Sequence, residues 1–209
     1  MIDQKLRDGL IDAYVALIPM IILNVLWFIV SLPLVTAFPA TGGLFYATNR
    51  LAHGKSANWR TFFEGFRIHF WRSWAVGLVN LFLALVFAVN FIFYSWNNEQ
   101  WVLFARGVVI VVALVWLALQ VYLFPLLMEQ EEPRLRLALR NSSVIMLKRP
   151  LLTLGATLLI ALVGILSTFV IQPAWIFITA SSCAFLANRA TLYAIAQITG
   201  KKTDSPQPE

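Results

Sequence analysis

The chain has 209 residues, 60% of them hydrophobic and 12% charged, whereas a soluble domain is nearer half apolar and a quarter charged. That balance excludes an ordinary soluble fold, and no polar block is long enough for a second, soluble domain. The formal net charge of +6 sits mostly in two loops, which points to orientation in a bilayer and contact with anionic headgroups rather than to nucleic acid.

The first segment, up to Asp12, is polar and lacks the positive start of a signal peptide. A retained first span is expected over about Ala13–Ala37, broken by Pro33, whose ring frees the carbonyl of Ile29; Ser31 and Thr36 are at hand to satisfy the backbone. A second break is expected at Pro39, followed by a helical turn ending on Asn49-Arg50. From Phe38 to Arg72 the chain is expected to be interfacial. Asn58 caps a helix beginning near Trp59, with Trp59, Phe62, Phe63, Phe66 and Phe70 on one face and Arg60, Glu64 and Arg67 on the other, the pattern of a helix lying in the headgroup layer.

A second span follows over about Ser73–Tyr94, then a short turn at Trp96–Trp101 and a third span over about Val102–Met128, with Arg106 placed to snorkel. Glu132-Pro133 reads as the start of a second amphipathic helix, with Leu135, Ala138, Leu139, Ser142, Ile145 and Met146 on one face and Arg136, Arg140 and Lys148 off it. Spans four and five are expected at about Leu151–Ile171 and Ala174–Ile198, separated by a Gln172-Pro173 turn. Residues 1–200 thus make a single transmembrane helical domain, and 201–209 a disordered cytoplasmic tail.

The two long connections each hold five basic residues and the short turns none, so the positive-inside rule puts the long connections and the C-terminus in the cytoplasm. Five spans then put the N-terminus outside; a first segment that re-enters without crossing puts it inside. Phe38-Pro39 and Phe124-Pro125, each followed by a basic amphipathic helix, suggest a parallel repeat of the kind some transporters use, although any helical hairpin with a cytoplasmic connection looks the same.

Asn24-x-x-Trp27, Leu32-Pro33, Thr36-x-Phe38-Pro39-Ala40-Thr41-x-x-Leu44-Phe45 and Phe70-Trp71-Arg72-Ser73-Trp74 together resemble the YesL-like family of small bacterial membrane proteins. The resemblance is most specific over about residues 20 to 80 and fades in the fifth span. Members of that family have no established activity and are commonly encoded beside carbohydrate-uptake transporters and polysaccharide-degrading enzymes, which implies an accessory role in sugar utilisation. One departure is Gly42-Gly43, where alanine-like residues are usual; a more flexible turn is expected there.

Arg189, an ionisable residue inside the fifth span, is the first functional candidate, set against snorkelling to the headgroups. Asn24, Asn80, Asn90 and Gln120 either line a polar cavity or join helix to helix. His53 and His69 are expected to be solvated at the interface, and Gly42-Gly43 offers a weak anion site. One cysteine, Cys183, precludes an intrachain disulfide, and with two histidines it leaves no zinc-type site expected. No cofactor is expected either. Neither Gly-x-Ser-x-Gly nor His-Glu-x-x-His occurs, nor does a carboxylate pair within a span, so no enzyme is expected.

The sequence therefore predicts an all-α membrane bundle of about five transmembrane helices with two cytoplasmic amphipathic connecting helices. The functional expectation is a non-enzymatic accessory component of carbohydrate uptake. It has motif candidates at Asn24, Trp27, Pro33, Thr36, Pro39, Thr41 and Arg189. Arg60, Arg67, Arg136 and Arg140 offer surfaces for anionic lipid or a sugar ABC transporter. The alternative is a small transporter of a sugar-like solute. The second connection lacks the Glu-Ala-Ala then Gly pattern by which binding-protein-dependent permeases engage their ATPase.

Overall fold

A computed structural model describes residues 2–95 and 99–200, without the side chains of residues 2–16 and Gln100. Among the described residues there are eight α-helices and one π-helical turn, and no strand: α1 (Ile2–Ser31), α2 (Leu34–Ala52), α3 (Trp59–Ile68), α4 (Phe70–Ser95), α5 (Gln100–Met128), α6 (Leu135–Lys148), α7 (Pro150–Phe169), the π turn (Trp175–Thr179) and α8 (Ala180–Thr199). The all-helical expectation holds. The expected turn at Trp96–Trp101 falls partly, and the tail 201–209 wholly, outside the described residues.

Three described helices, not five, are long and apolar enough to cross a membrane: Phe70–Ser95, Trp101–Met128 and Pro150–Phe169. The expected first span is cut short because Pro33 cannot donate the bond that would continue α1 past Ser31; its apolar described part is only Leu17–Ser31. The expected fifth span opens on the π turn, and Ser181, Ser182, Asn188, Arg189 and Gln197 dilute the helix beyond it.

The chain reverses at Leu32-Pro33, and α1 and α2 form an antiparallel hairpin. Its contacts fix the direction: the Thr36 hydroxyl donates to the Val30 carbonyl, and farther from the turn Trp27 Nε1 donates to Thr41 Oγ1 at 3.2 Å. Leu23 of α1 packs with Ala40, Leu44 and Ala47 of α2, all buried. The break expected at Pro39 does not occur. Pro39 lies inside α2 and is buried there; the missing bond of an interior proline is offset by the close packing of its neighbours. Because α1 turns back, its start and Ala52 point to the same end of the bundle. This departs from a first segment that crosses in a single span and fits the alternative of one that turns back.

Packing around α2 is tight enough to demand glycine. A Cβ on Gly43 would stand 2.6 Å from the Phe62 carbonyl of α3, and one on Gly42 would stand 2.1 Å from Ser73 Oγ of α4. The pair is therefore not a flexible turn but a smooth helix face against two other helices. Asn58 caps α3 as expected, accepting from the backbone N–H groups of Arg60 (3.0 Å) and Thr61 (3.1 Å), with Thr61 answering as a capping box. Most of the aromatic face of α3 turns inward: Phe62 is fully buried and Phe63 and Phe66 pack with it on the α1–α2 core, whereas Trp59 is exposed.

The second half of the core joins α5 to α6, α7 and α8. Leu126, Leu127, Ala138, Ile145, Ala187 and Ala194 are buried together, and Tyr122 Oη donates to Thr153 Oγ1 at 3.1 Å. Helix α6 begins at Leu135 with Arg134 as its cap, so Pro133 stands just outside rather than at its first position. Phe45 and Phe124 stack at 4.9 Å and Asn49 meets Glu129, which makes α2 and α5 parallel. Helix α1 thus runs opposite to α5, so the parallel repeat is not formed and the alternative of two ordinary helical hairpins fits. Away from this core α4, α5 and α7 expose apolar side chains, among them Phe82, Phe93, Phe104, Leu158 and Phe169.

Candidate functional site

Where the C-terminal ends of α2 and α5 meet the middle of α8, polar side chains form a latch. Asn188 is fully buried, and its Nδ2 donates to Thr48 Oγ1 (3.0 Å) and the Ala184 carbonyl (2.9 Å). Its Oδ1 accepts from Asn49 Nδ2 at 3.2 Å, and the same Asn49 amide reaches Glu129 Oε1 at 2.6 Å. His53 Nε2 approaches that carboxylate oxygen at 2.9 Å. Three helices are thereby pinned by one chain of hydrogen bonds running from a buried amide to a half-exposed carboxylate. Beside it Arg189 points outward, is exposed, and donates to the Ala52 carbonyl at 3.1 Å, closing the C-terminal end of α2. The functional candidate within the last helix is thus a capping side chain, and its neighbour Asn188 occupies the interior.

A second polar joint is built on Asn24, which is fully buried in α1. Its Nδ2 donates to the carbonyls of Trp175 and Ile176, both at 2.8 Å, and its Oδ1 accepts from the Ser181 N–H at 2.8 Å. The π turn displaces the usual helical pairing at the entry to α8, and one amide supplies the missing partners. Trp27, Pro33, Thr36 and Thr41 belong to the adjoining hairpin turn described above. Of the motif candidates, six of seven, all but Arg189, therefore lie in or beside the α1–α2 hairpin.

Asn80 and Gln120 do pair, at 3.1 Å between α4 and α5, with Trp116 Nε1 donating to Asn80 Oδ1 at 2.9 Å. Asn90 instead bonds back to the Val86 carbonyl of its own helix at 2.8 Å. Arg106 reaches the Tyr94 carbonyl across the α4–α5 connection. His69 departs from the solvated reading. It is 4% exposed, lies 5.8 Å from the Tyr46 ring, and burial assisted by the nearby Arg72 charge lowers its pKa to about 4. The cause is the close approach of α2 and α4 at Gly42, which seals the α3–α4 junction. Gly42 and Gly43 sit in the middle of α2, so their N–H groups serve the helix and form no anion site.

Arg60 and Arg67 are exposed on α3, and Arg136 and Arg140 on α6. On α3 the two arginines line a shallow recess of about 400 Å³ with Trp59, Phe63, Glu64 and Ile68, and the Arg60 guanidinium lies 5.2 Å from the Trp59 ring.

Among the described residues these features define an all-helical arrangement with three helices of membrane-crossing length and a hairpin-centred core. The family described as "Protein of unknown function, DUF624" matches residues 20–91, a match compatible with the resemblance seen in the sequence. It takes in Asn24 to Thr41, Arg60 and Arg67, and stops short of Glu129, Asn188 and Arg189. No curated protein and no solved structure matches the chain.

Sequence reasoning misses the latch. It uses Asn49 only to mark the end of a stretch and Asn188 only as the neighbour of Arg189. The available signal is the pair of uncharged amides at helix positions otherwise filled by apolar or small residues.

Proposed function

We propose that the chain is an integral protein of the bacterial cell membrane that acts as a non-enzymatic accessory component of carbohydrate uptake, contacting a sugar ABC transporter. The observation that carries this reading is the division of its polar groups. The buried amides are consumed in joining helices to one another, whereas Arg136 and Arg140 are exposed on α6. The family resemblance supplies the sugar-utilisation context. The positive-inside rule supports a cytoplasmic position for α3 and α6, and the antiparallel α1–α2 hairpin supports the same side for the start of α1.

Affinity purification from native membranes in mild detergent, with mass spectrometry of the co-purified proteins, tests it. The expected result is a sugar-transporter permease or its ATPase in fixed ratio, lost in the Arg136→Ala/Arg140→Ala variant. Recovery of the protein alone refutes it. A small transporter of sugar-like solutes is the second reading, favoured by the proline-broken hairpin beside the Asn49–Glu129–Asn188 chain; uptake of radiolabelled oligosaccharide into liposomes holding only this protein would establish it and overturn the first.

A further inference from the structure

We propose that the outer face of α3 is a seat for an anionic phospholipid, its phosphate held between Arg60 and Arg67. Seven residues apart, the two stand about two helical turns, or about 10 Å, from one another on the same face. Glu64 lies between them in sequence and at helical spacing from both, where it would ordinarily neutralise them. It makes no ion pair with either, because its Oε1 is turned to accept from Tyr46 Oη of α2 at 3.2 Å, and its charge offsets them only from that distance. Among the described residues no carboxylate oxygen lies within 4.0 Å of either guanidinium. The result is a pair of cations with no direct ion pair, net positive by one charge with the Glu64 carboxylate counted, over an apolar floor of Phe63 and Ile68.

The surface that leaves this recess decides the occupant. Ile68 is 50% exposed and Trp71 80% exposed, and Leu78 and Phe82 continue the same exposed stripe along α4. A phosphate at the arginines therefore has hydrocarbon-compatible surface running away from it along a membrane-length helix. That combination fits a lipid with one charged end and a long apolar one; an acidic peptide or a free phosphate would leave the stripe uncovered. The proposal rests on the membrane reading above and adds a headgroup class and a site.

The test uses the full chain in mixed micelles with equimolar dioleoyl-phosphatidylglycerol and dioleoyl-phosphatidylcholine, counting retained lipids by native mass spectrometry. One to two net positive charges near an anionic surface correspond to an enrichment of phosphatidylglycerol of about fivefold to thirtyfold. Arg60→Gln/Arg67→Gln is expected to abolish it. Arg136→Gln/Arg140→Gln, with the same change in net charge, is expected to keep it. Tyr46→Phe leaves charge unaltered but releases Glu64 toward the arginines, and is expected to cut the enrichment severalfold. Enrichment that survives the α3 double substitution, or that falls equally in the α6 variant, overturns the site. An unchanged Tyr46→Phe overturns the role given to Glu64. Alkaline-carbonate extraction of the chain from vesicles separates the levels: extraction refutes the membrane reading itself, whereas an integrated chain with no headgroup preference refutes only the lipid seat.

Discussion

Replacing Asn24 by alanine removes three hydrogen bonds at once and leaves the carbonyls of Trp175 and Ile176 and the N–H of Ser181 without their partner. At the roughly 0.6 kcal/mol typical of a side-chain hydrogen bond within a membrane protein, three bonds amount to about 2 kcal/mol. The orphaned Ser181 N–H is buried, and an unsatisfied buried polar group costs about 1–3 kcal/mol, so the loss is expected at about 2–5 kcal/mol. The internal control is Asn90→Ala. That residue is partly exposed and bonds only within its own helix, and its loss is expected to cost less than about 0.6 kcal/mol. Both variants are compared by reversible SDS titration of the protein refolded in mixed micelles. An Asn24→Ala variant no less stable than Asn90→Ala would refute the claim that this amide holds the last helix in place.

Buried neutral His69 has a folded pKa of about 4 against an ordinary value near 6.5. The unfolded chain binds the proton first, so this residue's contribution to stability is full above about pH 6.5 and falls by about 2–3 kcal/mol as pH drops toward 4. Subtracting the acid-unfolding profile of His69→Gln from that of the parent chain should isolate the difference; parallel profiles would contradict it. Gly43→Ala pushes a methyl into the Phe62 carbonyl and is expected to destabilise by about 1–3 kcal/mol, whereas Gly107→Ala meets nothing within 4 Å and is expected to stabilise α5 by up to about 1 kcal/mol. Thermal melts in one detergent decide the sign of each. Arg189→Ala, losing one exposed capping bond, is expected to change stability by no more than about 1 kcal/mol; complete unfolding would show that the guanidinium has an interior role.

Helix positions and local caps were legible because they depend on near neighbours. Asn58 announced α3, Pro33 announced a break after α1, and the long apolar runs announced α4, α5 and α7. The path of the chain beyond a proline break was not legible. Pro33 permits either a kinked continuation or a full reversal, and the choice is made by Trp27 meeting Thr41 and by Leu23 packing on Ala40 and Leu44. The same holds for the latch. Asn49, Glu129 and Asn188 are 80 and 139 residues apart in the pairs that matter, a separation that leaves no periodic trace. Arg189 drew notice as the costliest residue by charge, yet a long side chain can reach out of a helix while the short amide beside it cannot.

The Asn24 joint also sets an order of events during synthesis. Its partners come 151 to 157 residues later in the chain, so the first helix emerges from the ribosome with an open amide that nothing nearby in sequence can close. The α1–α2 hairpin and the three apolar helices all precede the segment that seals it. Completion of this fold therefore waits on the arrival of its last helix, and until then the N-terminal hairpin remains the point at which a nascent chain is open to misassembly.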